Sequence, residues 1–334
     1  MDTQLNTRRI VIYLAFAFGI SWAVALAFHL TGGTQNTVIR PDLAPLLMNY
    51  IFICGPALAN VATRLITRQG CRDLWLRPNF RRGWPFYLAV WLLPLLAMIV
   101  GALAFYLLFP QSFDPDVSRA RTLLAGFPSV AQASAWKVML FLTPYMMIVQ
   151  GVLVGGVIAI VEEFGWRGYL LQRLIDRFRS ANSAGVGAGW AESTAARKAA
   201  LLVGVVHGVW HWPFYFIAGM VLDSGYFGAP FLAPLAYLVF TCSLSILLSW
   251  ATLRSGSVWP ASIGHGTVLG TSMLAVCLLK GAPDPLLGPQ AMGLISGLGF
   301  VALALALYFN RGAFAARRET RSQSAQATVV GDRS

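Results

Sequence analysis

The chain is written in long apolar runs broken by short stretches rich in arginine. Runs near residues 10–30, 44–67, 84–109, 138–163, 199–219, 230–253, 256–279 and 288–310 are close in length to the ~20 apolar residues that a helix needs to cross a bilayer. The pattern predicts an all-α membrane protein, a bundle of about eight transmembrane helices. Only Arg254-Ser255 separates the sixth run from the seventh, so a tight hairpin is expected there. Residues 168–179 alternate apolar and basic positions at helical spacing, which predicts a short interfacial helix. Residues 180–196 are small and glycine-rich and predict a flexible loop. Residues 1–310 therefore read as a single transmembrane domain, whose site-bearing part is 138–275. Residues 311–334 read as a polar, disordered cytoplasmic tail.

Charge sharpens this picture. With the N-terminus placed inside, twenty of the 25 Lys and Arg fall on the inner side of the membrane. That bias predicts that both termini are cytoplasmic, in a multi-pass protein of the cell (inner) membrane. The chain is 57% hydrophobic and 11% charged, against about 25% charged in soluble proteins. The net charge of +12 sits in the loops as an orientation signal, so no nucleic-acid partner is expected. Ala25-Leu26-Ala27 resembles a signal-peptidase site, but the run before it exceeds the ~7–15 residues of a signal-peptide core and reads as an uncleaved first span. Cys54, Cys71, Cys242 and Cys277 form no paired motif and read as free thiols.

Ionisable groups inside membrane spans are costly and mark functional sites. Glu162-Glu163-Phe164-Gly165-Trp166-Arg167 closes the fourth run. His207 and His211 lie in the fifth, in Val-Val-His-Gly-Val-Trp-His-Trp-Pro, and His265 lies in the seventh, in Ser-Ile-Gly-His-Gly. Counted from the inner ends of their helices at about 1.5 Å per residue, all these groups reach similar depths. Gly151 and Gly155, Gly204 and Gly208, and Gly266 and Gly270 are pairs at four-residue spacing, which lets such helices approach closely. A carboxylate beside imidazoles can act as general base on water, directly or through a metal. Arg167, one turn from Glu163, is placed to pair with a carboxylate. Trp166, Trp210, Trp212 and Trp259 are candidates to line a pocket, although tryptophan is also common at membrane interfaces. His29 ends the first run on the outer side and has no expected role in the site.

Together these motifs resemble the CAAX protease and bacteriocin-processing (CPBP, Abi) family of intramembrane proteases, with its E-E-x-x-x-R, F-x-x-x-H and H-x-x-x-N motifs on separate helices of an eight-helix bundle. Glu162, Glu163 and Arg167 match the first motif. The second admits two registers: Trp210-His211-Trp212-Pro213 favours His211, and His207 is the alternate. The third matches at His265, but Leu269 stands where the family has the Asn that completes an oxyanion-binding pair; Thr267 or Thr271 are possible substitutes. The resemblance implies that Glu162 is the general base, with His211 helping to activate water. It implies that Glu163 and Arg167 position the base and that His265 binds the oxyanion or a metal. A divalent ion such as zinc, held by Glu162, His211 and His265 with His207 as alternate, fits this pattern. So does metal-free glutamate catalysis.

The expected function is hydrolysis of a peptide bond in a membrane-associated substrate, a peptide or a lipidated protein, with membrane lipids as surroundings. A catalytically inactive member acting in immunity, scaffolding or lipid handling is the alternative, and Leu269 favours it. A proton-coupled transporter is the third reading, against which the lack of an inverted repeat counts. No H-E-x-x-H, Gly-x-Ser-Gly or Gly-x-Gly-Asp motif supports another class of intramembrane protease.

Overall fold

A computed structural model of the protein describes residues 3–33, 38, 40, 42–71, 73–181, 188–216, 226–310 and 312–315. Among them the regular structure is helical. The first run forms α1 (Thr3–Leu30), and the second forms α2 (Ala44–Ile53) and α3 (Gly55–Ile66), broken at Cys54 ahead of Pro56. Helix α4 (Phe80–Leu108) follows, then the short α5 (Ser118–Leu123) and α6 (Pro128–Ala131). The fourth run is one long helical rod of uneven winding. It contains α7 (Ala135–Pro144), a π-helical stretch (Tyr145–Gly155), α8 (Gly156–Gly165), a π-helical turn (Trp166–Leu170) and α9 (Leu171–Ala181). Helices α10 (Ala188–Trp210), α11 (Trp212–Phe216), α12 (Leu232–Ser255), α13 (Trp259–Thr271), α14 (Met273–Val276) and α15 (Leu298–Phe309) complete the fold.

Six helical segments among the described residues are long and apolar enough to cross a membrane: Gln4–Leu30, Ala44–Ile66, Phe80–Leu108, Ala135–Ser180, Glu192–Phe216 and Leu232–Ser255. The seventh and eighth expected spans are present as shorter helices, α13 and α15. The reasons are local. Helix α13 starts late, because the hairpin after α12 turns through Gly256 at φ 68° and Pro260 opens the new helix. Residues 288–297 form turns around Gly288, Pro289, Gly293 and Gly297, so only the last part of the eighth run is helical. The hairpin is as tight as Arg254-Ser255 requires.

The predicted interfacial helix is instead the end of the fourth rod. Its amphipathic face is turned inward: Leu170, Leu171, Leu174 and Ile175 are buried in the main apolar cluster, with Tyr13 and Ala17 of α1 and Ala199, Ala200 and Val203 of α10. Within the expected loop 180–196, α9 runs to Ala181 and α10 begins at Ala188, since alanine-rich sequence favours helix once its apolar face has a partner; residues 182–187 lie outside the described residues. Most of the tail also lies outside them, but Ala313 and Phe314 are buried in the same cluster. Helix α1 joins the core through Tyr13, Ala17 and Ala25, as a first span that is part of the bundle. The four cysteines are free.

Glycine sets the closest helix approaches. A Cβ on Gly266 would lie 2.2 Å from the Gly156 nitrogen, and one on Gly270 would lie 2.4 Å from the Gly151 nitrogen. Across the other contact, a Cβ on Gly204 would lie 2.5 Å from the Cys242 Cα. The glycine pairs thus press α13 onto the fourth rod and α10 onto α12. Replacing Gly266 by alanine should lower the thermal midpoint in detergent, because overpacking costs about 1–3 kcal/mol. Gly19→Ala, where nothing lies within 4 Å, should melt with the wild type.

Asp73, between α3 and α4, joins two arginines: Arg64 at 2.6 Å, and Arg173 of α9. Burial by itself would raise its pKa, but the hydrogen bond and charge of Arg64, with the charge of Arg173, outweigh it and hold the carboxyl below its usual range. Its contribution to stability is full above its unfolded pKa of about 3.9 and is lost as pH falls through the lower folded value. An acid melt should show this limb for the wild type and lose it in Asp73→Asn.

Candidate active site

The two glutamates close α8, where the rod widens into its second π-turn. Successive residues on a helix point about 100° apart, so neighbouring carboxylates face different partners. Glu162 turns to α10 and Glu163 turns to α13. His207 Nε2 lies 3.0 Å from the Glu162 Oε2. The Glu163 Oε1 accepts from the Arg167 Nη1 at 2.9 Å and lies 2.9 Å from the His265 Nδ1. Glu163 and Arg167 have no solvent exposure, and Glu162, His207 and His265 are buried. One carboxylate oxygen meets an arginine and an imidazole at once, while the Glu163 Oε2 and the Arg167 Nε and Nη2 are buried without a hydrogen-bond partner.

His211 sits at the turn between α10 and α11. Its Nδ1 is 3.1 Å from the His207 carbonyl oxygen, which can only accept, so this nitrogen carries the proton and Nε2 keeps its lone pair. The ring centroids of His207 and His211 are 4.9 Å apart, and those of His207 and His265 are 5.8 Å apart. Aromatic walls enclose the group: Trp166 lies 5.4 Å from the His207 ring, Trp210 packs on Trp166 at 5.5 Å, and Tyr237 meets His211 at 5.1 Å. Trp210 donates to the Ala17 carbonyl, and Trp259 donates to the Leu76 carbonyl away from the site.

All five residues singled out first (Glu162, Glu163, Arg167, His211 and His265) lie around this centre, and His207 lies among them. The grouping differs from the expected one. The donors that come within 4.8 Å of one another are Glu162, His207 and His211, so His207 stands where His265 was expected. The cause is Glu163, which ties His265 to the Arg167 side of the centre. A carboxylate oxygen and two imidazole nitrogens suit a zinc-like ion. The orientation also fits, since the backbone anchor on the His211 Nδ1 leaves Nε2 available and the buried His207 Nδ1 is without a partner. Such an ion would supply Lewis-acid chemistry to a bound water.

Leu269 is 47% exposed and offers no donor. The proposed substitutes are engaged in their own helix: Thr267 donates to the Ile263 carbonyl at 2.8 Å and Thr271 to the Thr267 carbonyl at 2.6 Å. Four residues at the site were not singled out from the sequence: Tyr13, 6.0 Å from the Trp166 ring; Phe52, 6.3 Å from the His211 ring; Asn60, which donates to the Phe164 carbonyl; and Tyr237. For Asn60 a signal existed, a polar residue in an apolar span with Arg64 one turn on.

Removing the guanidinium should cost more than removing both charges. Arg167→Ala leaves the buried Glu163 carboxylate without its guanidinium, a loss of about 3–5 kcal/mol. The double change of Arg167→Leu with Glu163→Gln should recover much of the thermal midpoint in detergent.

Among known proteins, no curated sequence matches the chain. Residues 143–270 match the family model described as Rce1-like, type II CAAX prenyl endopeptidase. Both glutamates, Arg167, His207, His211 and His265 fall inside that stretch, which is similar to that family.

Proposed function

We propose that the protein is an intramembrane endopeptidase that hydrolyses a peptide bond of a lipidated or otherwise membrane-bound peptide. The Glu162–His207 pair, 3.0 Å apart in a water-poor interior, carries this reading. The Glu162 carboxylate takes a proton from a water, and the oxygen attacks the scissile carbonyl carbon. His207 orients the base through its Nε2–H, and the His211 Nε2 accepts a hydrogen bond from the same water. As an imidazolium, His265 donates Nδ1–H to Glu163 and Nε2–H to the developing oxyanion. Glu163 and Arg167 keep that imidazole in place. Protonated Glu162 returns its proton to the departing amine. Glu162, His207 and His211 are the set that would hold a zinc-like ion, which makes the metalloprotease form the finer part of the proposal. The arginine bias supports an inner-membrane location with both termini cytoplasmic, and thus a substrate approaching from the cytoplasmic leaflet.

A second reading, a non-catalytic member of the family, is favoured by Leu269, which leaves His265 without the family's second oxyanion donor.

The purified wild type and Glu162→Ala should be offered farnesylated and leader-type peptides, with and without a chelator, and products read by mass spectrometry. Wild type should cleave, and Glu162→Ala should be slower by about 10²–10⁴-fold, the range of general-base catalysis. Loss of cleavage on chelation, restored by zinc, supports the metal form; indifference to chelation supports glutamate catalysis alone. Folded wild type that cleaves nothing moves the reading to the non-catalytic member.

A further inference from the structure

The glutamate pair is followed at once by the widened turn Trp166–Leu170, and such single turns shift the register of every side chain near them. What fixes this one lies outside the family-matched stretch. On α3, Asn60 is fully buried, and its Nδ2 donates to the carbonyl oxygen of Phe164, the residue after Glu163, at 2.8 Å. One residue on, a Cβ on Gly165 would lie 2.5 Å from the Pro56 backbone, so α3 and the rod touch there without a gap. The Asn60 Oδ1 is itself held by the Arg64 Nε at 2.7 Å. The same guanidinium donates to the Gly70 carbonyl at 2.8 Å and to the Asp73 carboxylate at 2.6 Å. The other oxygen of Asp73 is bonded by Arg173 of α9, beyond the turn. Between these arginines lies the Tyr169 ring, 5.3 Å from the Arg64 guanidinium and 5.7 Å from that of Arg173.

We infer that Asn60, Arg64 and Asp73 form a positioning clamp for the proposed hydrolytic site, gripping the rod on both sides of its widened turn at Phe164 and Arg173 and so fixing where Glu162 and Glu163 point. This rests on the proteolytic reading for its consequence but not for its geometry. None of the three residues touches the reacting atoms. The chain of bonds is continuous, it is buried at Asn60 and Arg64 and partly exposed at Asp73, and it ends one residue from the glutamate pair. A hydrogen bond to a buried carbonyl, once removed, leaves that carbonyl unsatisfied at the place where the winding is already least regular. A displacement of about 1 Å in a catalytic group is enough to cost roughly 10²-fold in rate.

The test uses full-length Asn60→Ala and Asp73→Asn beside the wild type, in detergent, with two readouts. The first is amide hydrogen exchange of peptides covering 164–171, which needs no substrate. Both variants should exchange about tenfold faster there, the equivalent of one lost hydrogen bond, while peptides from α12 stay at the wild-type rate. The second is steady-state cleavage of whichever farnesylated or leader-type peptide the wild type accepts. Positioning predicts a fall in kcat of roughly tenfold or more with KM within about twofold, whereas a purely structural role predicts fewer active molecules with an unchanged kcat per folded site. Unchanged exchange at 164–171 overturns the clamp, whatever the peptides show. Faster exchange with wild-type kcat overturns the positioning role. If the wild type cleaves nothing, the hydrolase reading fails, and exchange at 164–171 still decides whether the clamp holds the turn.

Discussion

The structure depends on burying one charge. Glu163 lies in the bundle with no access to solvent, where an isolated carboxylate would cost many kcal/mol. The Arg167 guanidinium on the same rod and the His265 imidazole on α13 share one of its oxygens. The arginine contact lies within the rod, whereas the histidine contact crosses to α13 and depends on the close approach of that helix. The glycine seam between α13 and the rod therefore has an electrostatic purpose: with Gly266 and Gly270 against Gly151 and Gly156, backbone meets backbone, and an imidazole reaches a carboxylate without bending either helix.

Once Glu163 is consumed in this way, its neighbour is left for chemistry. Adjacent positions on one helix cannot face one partner, so Glu162 is turned toward α10, where His207 meets it. The pair divides into one carboxylate neutralised by structure and one addressed only by imidazoles. The irregular winding of the rod serves the same division. A regular α-helix through Phe164–Leu170 would carry Arg167 and the buried face of α9 to different angles. The widened turn lets the glutamates face the centre while Leu170, Leu171 and Leu174 still face α1 and α10.

Much of this could be read before any coordinates. Apolar periodicity placed the helices, because the length of a span is imposed by the membrane and leaves a plain trace. The glycine pairs marked the close contacts, because only glycine has room there. The glutamates and histidines stood out as ionisable residues in apolar runs. Three things were not legible. The shortness of α13 and α15 depends on turns whose glycines and prolines also occur within spans. The burial of 168–175 depends on α1, nearly 160 residues upstream, offering an apolar face; amphipathic spacing alone does not say whether the partner is lipid or protein. The choice between His207 and His211 depends on rotation about α10, and a motif with two histidines four apart puts both on one face.

That last choice is one of role. The His211 Nδ1 is committed to a backbone carbonyl of its own helix, so its free lone pair is fixed in direction by the fold. His207 is committed to Glu162 instead, so its state is coupled to the proposed base. With an ion between them, both imidazoles and Glu162 would be its ligands. Without one, the Glu162–His207 hydrogen bond would orient the proposed base, and His211 would accept from the proposed water. In either chemistry His265 stays outside the donor group, because moving it inward would leave Glu163 with only its arginine. The charge buried for the sake of the fold thereby sets which histidines are available for reaction.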